Sequence, residues 1–121
     1  MSRKAPAISG FSSLAIDATN PAIVGRFWAD LLDASVEQPS EGQTIVSTRD
    51  GLRIDFLAVP EPKSVKNRLH IDLAARDVAE ATRQALALGA SLADDVYDGG
   101  RWQVLRDPEG NEFCLLPPGL N

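Results

Sequence analysis

The chain has 121 residues, 44% of them hydrophobic and 24% charged, with one cysteine and a formal net charge of −5. That acidity argues against binding a phosphate backbone, which needs a basic face. No apolar run approaches the roughly 20 residues of a membrane helix, and a lone Cys114 excludes an intramolecular disulfide. The expectation is one soluble cytoplasmic domain in a reducing compartment, handling small molecules, with no nucleic-acid or membrane partner.

Residues 1–10 read as a leader: basic residues with no apolar stretch behind them do not make a secretory signal. Between residues 11 and 18, Leu14, Ile16 and Ala18 alternate with Ser13, Ala15 and Asp17, the period of a strand. Asn20-Pro21 is a helix start, an N-cap followed by proline at the first helical position. The helix should run to about Leu32 and bury Ile23, Val24, Phe27, Leu31 and Trp28. Residues 37–43 read as turn. Residues 44–47 and 52–59 read as strands joined at Arg49-Asp50-Gly51, and the prolines at 60 and 62 make a linker over 60–67.

A second strand spans 68–75, after which Asp77 serves as N-cap with Glu80 at capping-box spacing. That helix carries Val78, Ala81, Ala85 and Leu88 and stops at Gly89. Strands over 91–96 and 102–105 follow. The turn at Asp107-Pro108-Glu109-Gly110-Asn111, read as structural, sets the register of a last strand over 112–116. Residues 118–121 are a tail.

The two halves repeat. At a constant offset of 57, Leu14-Ala15-Ile16 matches Ile71-Asp72-Leu73, Asn20 matches Asp77, Arg49-Asp50 matches Arg106-Asp107 and Phe56 matches Phe113. Two copies of one strand–helix–strands unit are implied, residues 11–60 and 68–117. Each is too small to bury its own apolar face, and a ligand would sit between them.

Strand–helix–strands twice, with Leu69-His70-Ile71-Asp72-Leu73, Leu88-Gly89-Ala90 and Arg106-Asp107-Pro108-Glu109-Gly110-Asn111-Glu112-Phe113 in order, resembles the glyoxalase and bleomycin-resistance group. This is the vicinal oxygen chelate superfamily, and the likeness covers residues 11–117. The resemblance implies an α+β fold of two tandem βαβββ modules forming an open U-shaped mixed sheet around a cavity, and a homodimer. It also implies inward-facing metal ligands on the first and last strands of each module. Carried over, those places are Ser13, His70, Cys114 and either Asp55 or Leu57, two positions on one strand face.

Only His70 is a good ligand as it stands. Cys114 and Asp55 would complete a His/Cys/Asp set acceptable to zinc, but a metal-free site is the favoured expectation. As the only histidine, His70 is either a hydrogen-bonded core or surface residue, or an acid/base group in the cavity. Asp72 lies two residues on and shares its face, so it either orients His70 or pairs with Arg68. Cys114 reads first as a small buried hydrophobe. Trp102 either stacks on a planar ligand or covers the sheet. Two functions remain open. One is a protein that binds a small metabolite or drug between the modules, possessing catalysis only of a metal-free kind through His70 and Asp72. The other is a lyase or isomerase of the glyoxalase type, acting beside a carbonyl with an unusual metal set.

Overall fold

A computed structural model describes residues 5–120; residues 1–4 of the expected leader and Asn121 of the tail lie outside them. The order is β1 (Leu14–Ala18), α1 (Pro21–Leu32), β2 (Ser35–Ser40), β3 (Gln43–Ser47) and β4 (Arg53–Ala58). A second set follows: β5 (Ile71–Ala74), α2 (Val78–Leu88), β6 (Ser91–Leu92), β7 (Gln103–Arg106) and β8 (Glu112–Leu116). The fold is α+β, two tandem βαβββ modules as expected. Each module makes its own four-stranded mixed sheet, ordered β1-β4-β3-β2 and β5-β8-β7-β6. β1 runs parallel to β4, and β5 to β8. Among the described residues, no helix is long and apolar enough to cross a membrane.

Local chemistry sets the helix ends. Asn20 Oδ1 accepts the Ile23 amide at 3.3 Å and Pro21 opens α1, while Asp77 Oδ1 accepts the Glu80 amide at 3.0 Å. Glu80 does not return the second half of a capping box; its carboxylate turns to Arg83 one helical turn on. Gly89, at φ 121°, closes α2 in a backbone region that other residues rarely enter.

Strand alternation sends Ile54, Phe56, Phe113 and Leu115 into one core shared by both modules, with Val24, Phe27 and Trp28 of α1 among them. Phe27, Trp28 and Phe113 meet edge-to-face, with ring centroids 4.9 to 5.9 Å apart; such pairs add about 0.5–1.5 kcal/mol each beyond burial. Ile23, expected inside, is 57% exposed. The α1 stripe is centred on Val24, Phe27 and Trp28, and Ile23 lies one position off it.

The turn at residues 107–111 does more than set register. Trp28 Nε1 donates to Asp107 Oδ2 at 2.9 Å in the buried core. The Glu109 carboxylate accepts the amides of Thr19 at 2.7 Å and Asn20 at 3.1 Å, at the start of α1. The second module thereby clasps the first module's helix, placing a negative charge at its N-terminus.

The ungapped repeat slips after the second helix. Ala15 pairs with Asp55 on the first ladder and Asp72 with Cys114 on the second, so the last strands correspond at an offset of 59. The turns agree with this, since Thr48 donates to Leu52 O at 2.8 Å and Asp107 to Asn111 O at 2.9 Å. The match of Arg49-Asp50 with Arg106-Asp107 is therefore not a structural equivalence. The difference arises where two residues, 41 and 42, join β2 to β3, while ten residues, 93–102, join β6 to β7. Residues 35–40, expected mostly as turn, form edge strand β2 despite Pro39, a position proline tolerates on an edge.

Candidate functional site

β5 and β8 bring the candidate site together. Their parallel register sets Asp72 beside Cys114, and two-residue alternation puts His70 on the same face. His70 lies just before the hydrogen-bonded part of β5, and its Nδ1 stands 2.7 Å from Asp72 Oδ1. Both side chains are partly open, 45% and 43% exposed. A carboxylate only accepts, so Nδ1 carries the proton and Nε2 is left as the acceptor. Asp72 thus partners His70 rather than Arg68.

Cys114 Sγ lies 3.9 Å from His70 Nδ1, and Cys114 is itself buried with Ala93 and Val104. Burial, and secondarily the negative charge of Asp72, push its thiol pKa up to about 11; Lys66 opposes this more weakly. At neutral pH it is a thiol, not a thiolate nucleophile.

A cavity of about 470 Å³ opens over this face, with His70, Asp72, Val104, Cys114, Tyr97 and Trp102 in its walls. Tyr97 and Trp102 stack at 4.0 Å with their planes 4° apart, and both come from the long connection before β7. A Cβ at Gly99 would strike the Tyr97 ring, so a larger residue there would have to displace it. A second cavity of about 680 Å³ lies between β1 and residues 61–71. His70, Lys66 and Glu112 line both.

Glu112 anchors the linker. Its carboxylate accepts the Asn67 amide at 2.7 Å, Lys63 Nζ at 3.3 Å and Arg106 Nε at 3.3 Å. Burial works against its charge, but the Asn67 amide and the Lys63 ammonium outweigh it, so its pKa lies below the ordinary value.

The first-module candidates lie elsewhere. Asp55 takes the position equivalent to Cys114 but belongs to the first sheet. There it accepts Arg53 Nε at 2.7 Å and Gln43 Nε2 at 3.5 Å, and the Arg53 hydrogen bond holds its pKa down. Leu57 is two residues further along β4, and Ser13 just precedes β1. None of the three lines the cavity over His70. The donors that do converge are His70, Asp72 and Cys114, with ligand atoms within 4.8 Å of one another; Asp72 stands where Asp55 was expected. In kind this set suits zinc, whereas manganese prefers oxygen and nitrogen and is poorly matched to a thiol.

Tyr97, Lys66 and Glu112 were not singled out in the sequence. Tyr97 is the only tyrosine, within a turn-rich stretch five residues before Trp102, and that pairing was the available signal. Glu112, two residues before Cys114 on one strand, shares its face by simple alternation.

Residues 13–116 match the family model described as a glyoxalase-like domain. No curated protein sequence matches the chain. Among solved structures it is similar to the fosfomycin resistance protein FosX of Listeria monocytogenes complexed with Mn(II) and sulfate, at 20% identity and a TM-score of 0.72, over 93% of this chain and 95% of that one. FosX from Mesorhizobium loti matches at 18% identity and a TM-score of 0.70, over 93% and 94%. A glyoxalase/bleomycin resistance protein/dioxygenase family enzyme from Burkholderia phytofirmans matches at 21% identity and 0.67, over 86% and 94%. At these identities the likeness concerns the fold.

Proposed function

The chain belongs to the glyoxalase-like domain family, and from that premise we propose that it binds a small organic molecule in the cavity over His70, Asp72 and Cys114. The His70–Asp72 pair is poised there for metal-free proton transfer. The observation that carries the reading is the 2.7 Å contact of Nδ1 with Asp72 at the wall of an aromatic-sided cavity. With Nδ1 protonated, Nε2 takes a proton from a carbon beside a ligand carbonyl, and Asp72 stabilises the imidazolium that forms. Positioned acid/base groups of this kind contribute about 10²–10⁴ in rate. A thermal-shift screen of carbonyl-containing metabolites in the presence of a chelator tests it. Ligands that stabilise the protein, with the shift lost in Trp102→Leu, support binding. Loss of turnover with retained binding in His70→Ala supports proton transfer. A screen with no stabilising ligand contradicts the reading.

The 4.8 Å convergence of donors supports a second reading, a lyase or isomerase of the glyoxalase type. His70, Asp72 and Cys114 would hold zinc, which when bound supplies Lewis acidity to a ligand oxygen. Tight zinc at one equivalent, lost in Cys114→Ser, would favour it.

A homodimer is part of the proposal. In its support, Ile8, Phe11, Val65 and Leu69 are 74% or more exposed, and β1 and β5 are sheet-edge strands with unpaired backbone.

A further inference from the structure

We propose that the cavity over the second sheet selects a planar organic anion, held by Lys66 at its rim and by the Tyr97–Trp102 pair along its side; this rests on the binding function proposed above. Three observations meet here. The first is local charge. In a chain of net charge −5, residues 62–71 carry Lys63, Lys66, Arg68 and His70 and no carboxylate. Lys63 is neutralised by Glu112 at 3.3 Å. Arg106, from the sheet itself, is shared between Asp95 at 2.7 Å and Glu112 at 3.3 Å. Among the described residues, Lys66 and Arg68 form no ion pair, and Lys66 Nζ reaches only the Asn67 carbonyl at 3.4 Å.

The second observation is position. Lys66 lines the cavity over the sheet together with His70 and Cys114, and the acids that share those walls already have partners. Asp72 is held by His70, and Glu112 by Lys63, Asn67 and Arg106. An entering anion therefore meets an unspent ammonium at Lys66, while of the two carboxylates in those walls Glu112 is ion-paired and Asp72 is hydrogen-bonded to His70.

The third is shape. The stacked rings of Tyr97 and Trp102 form a rigid aromatic side to the cavity, with little rotamer freedom left to lose on binding. Aromatic surfaces favour a flat π-system over a saturated ring of equal size. The first module has a two-residue connection where this ten-residue segment stands, so only the second sheet carries the aromatic side.

Isothermal titration calorimetry with three probes tests the inference: 2-naphthoate, its neutral amide, and the saturated decahydro-2-naphthoate. Naphthoate should bind at least about tenfold more tightly than either of the others, each tenfold corresponding to 1.4 kcal/mol. Lys66→Gln should remove the advantage over the amide and leave the amide's own affinity unchanged. Lys66 is exposed, so this variant keeps the fold. Trp102→Leu should remove the advantage over the saturated acid. Equal binding of the amide or the saturated acid, no effect of Lys66→Gln, or no binding of any probe overturns the inference. If fragments of other chemistry still shift His70 and Trp102 in NMR spectra, the binding function stands without it; if none does, both fall.

Discussion

Asp72 sits directly opposite Cys114 across the parallel β5–β8 ladder, so one carboxylate both orients His70 and adds to burial in holding the neighbouring thiol in its neutral form. Cys114 should accordingly titrate near 11. Asp72→Asn removes the negative charge and should lower that value, so that alkylation by iodoacetamide gains rate at lower pH. Lys66→Gln should shift the profile slightly the other way. Coincident pH–rate profiles for the three proteins would contradict this field between Asp72 and Cys114.

The Trp28–Asp107 hydrogen bond ties α1 to the second module. Asp107 also accepts the Glu109 and Asn111 amides, each at 2.9 Å. Asp107→Ala should cost about 2–4 kcal/mol, because several donors lose one buried charged acceptor. Trp28→Phe leaves that acceptor its other partners and should cost less through this bond, with a further loss from cavity formation. Urea unfolding of both variants measures the order.

Gly25 of α1 packs directly on Thr44 of β3. A Cβ there would collide with the Thr44 methyl group, so Gly25→Ala should destabilise by about 1–3 kcal/mol despite alanine's better helix propensity. Adding Thr44→Ser removes the methyl. Part of the loss should return, with a coupling of at least about 0.5 kcal/mol in a double-mutant cycle. Simple additivity would mean that the strain lies elsewhere.

Much of this was legible in the sequence, for reasons that differ by element. Asn20-Pro21, Asp77 and Gly89 mark helix ends through local chemistry, so both helices fall where the residues put them. The shared face of His70, Asp72 and Cys114 follows from strand alternation alone. The depth of the last-strand equivalence does not. It depends on where two extra residues are accommodated, and that place is the segment at residues 93–102, whose fold is set by Tyr97 packing on Trp102 and Gly99. Long-range capture was equally hidden: no local pattern pairs Glu109 with Thr19 or Lys63 with Glu112. Asp55 illustrates the same limit, since its partner Arg53 is on the same strand and nothing draws it to His70.

Glu112 should govern part of the acid stability. Its folded pKa lies below the ordinary 4.5, so its ionised form stabilises the fold above that value, and the contribution disappears as pH falls through the lower folded value. Glu112→Gln should cost about 2 kcal/mol near neutrality, by removing the charge that meets Lys63 and one of the two carboxylates that meet Arg106. It should also flatten the loss of stability as pH falls through 4.5 and below. A variant whose acid limb parallels that of the parent would assign the effect to other carboxylates.

Ligands should enter the cavity beside His70 without metal. A fragment titration of chelator-treated, isotope-labelled protein, followed by two-dimensional NMR, tests it most directly. Saturable shifts should gather on His70, Tyr97, Trp102 and Cys114, and be the same whether or not zinc is restored. Shifts confined to other parts of the surface, or shifts at His70 only after zinc is added, would contradict it.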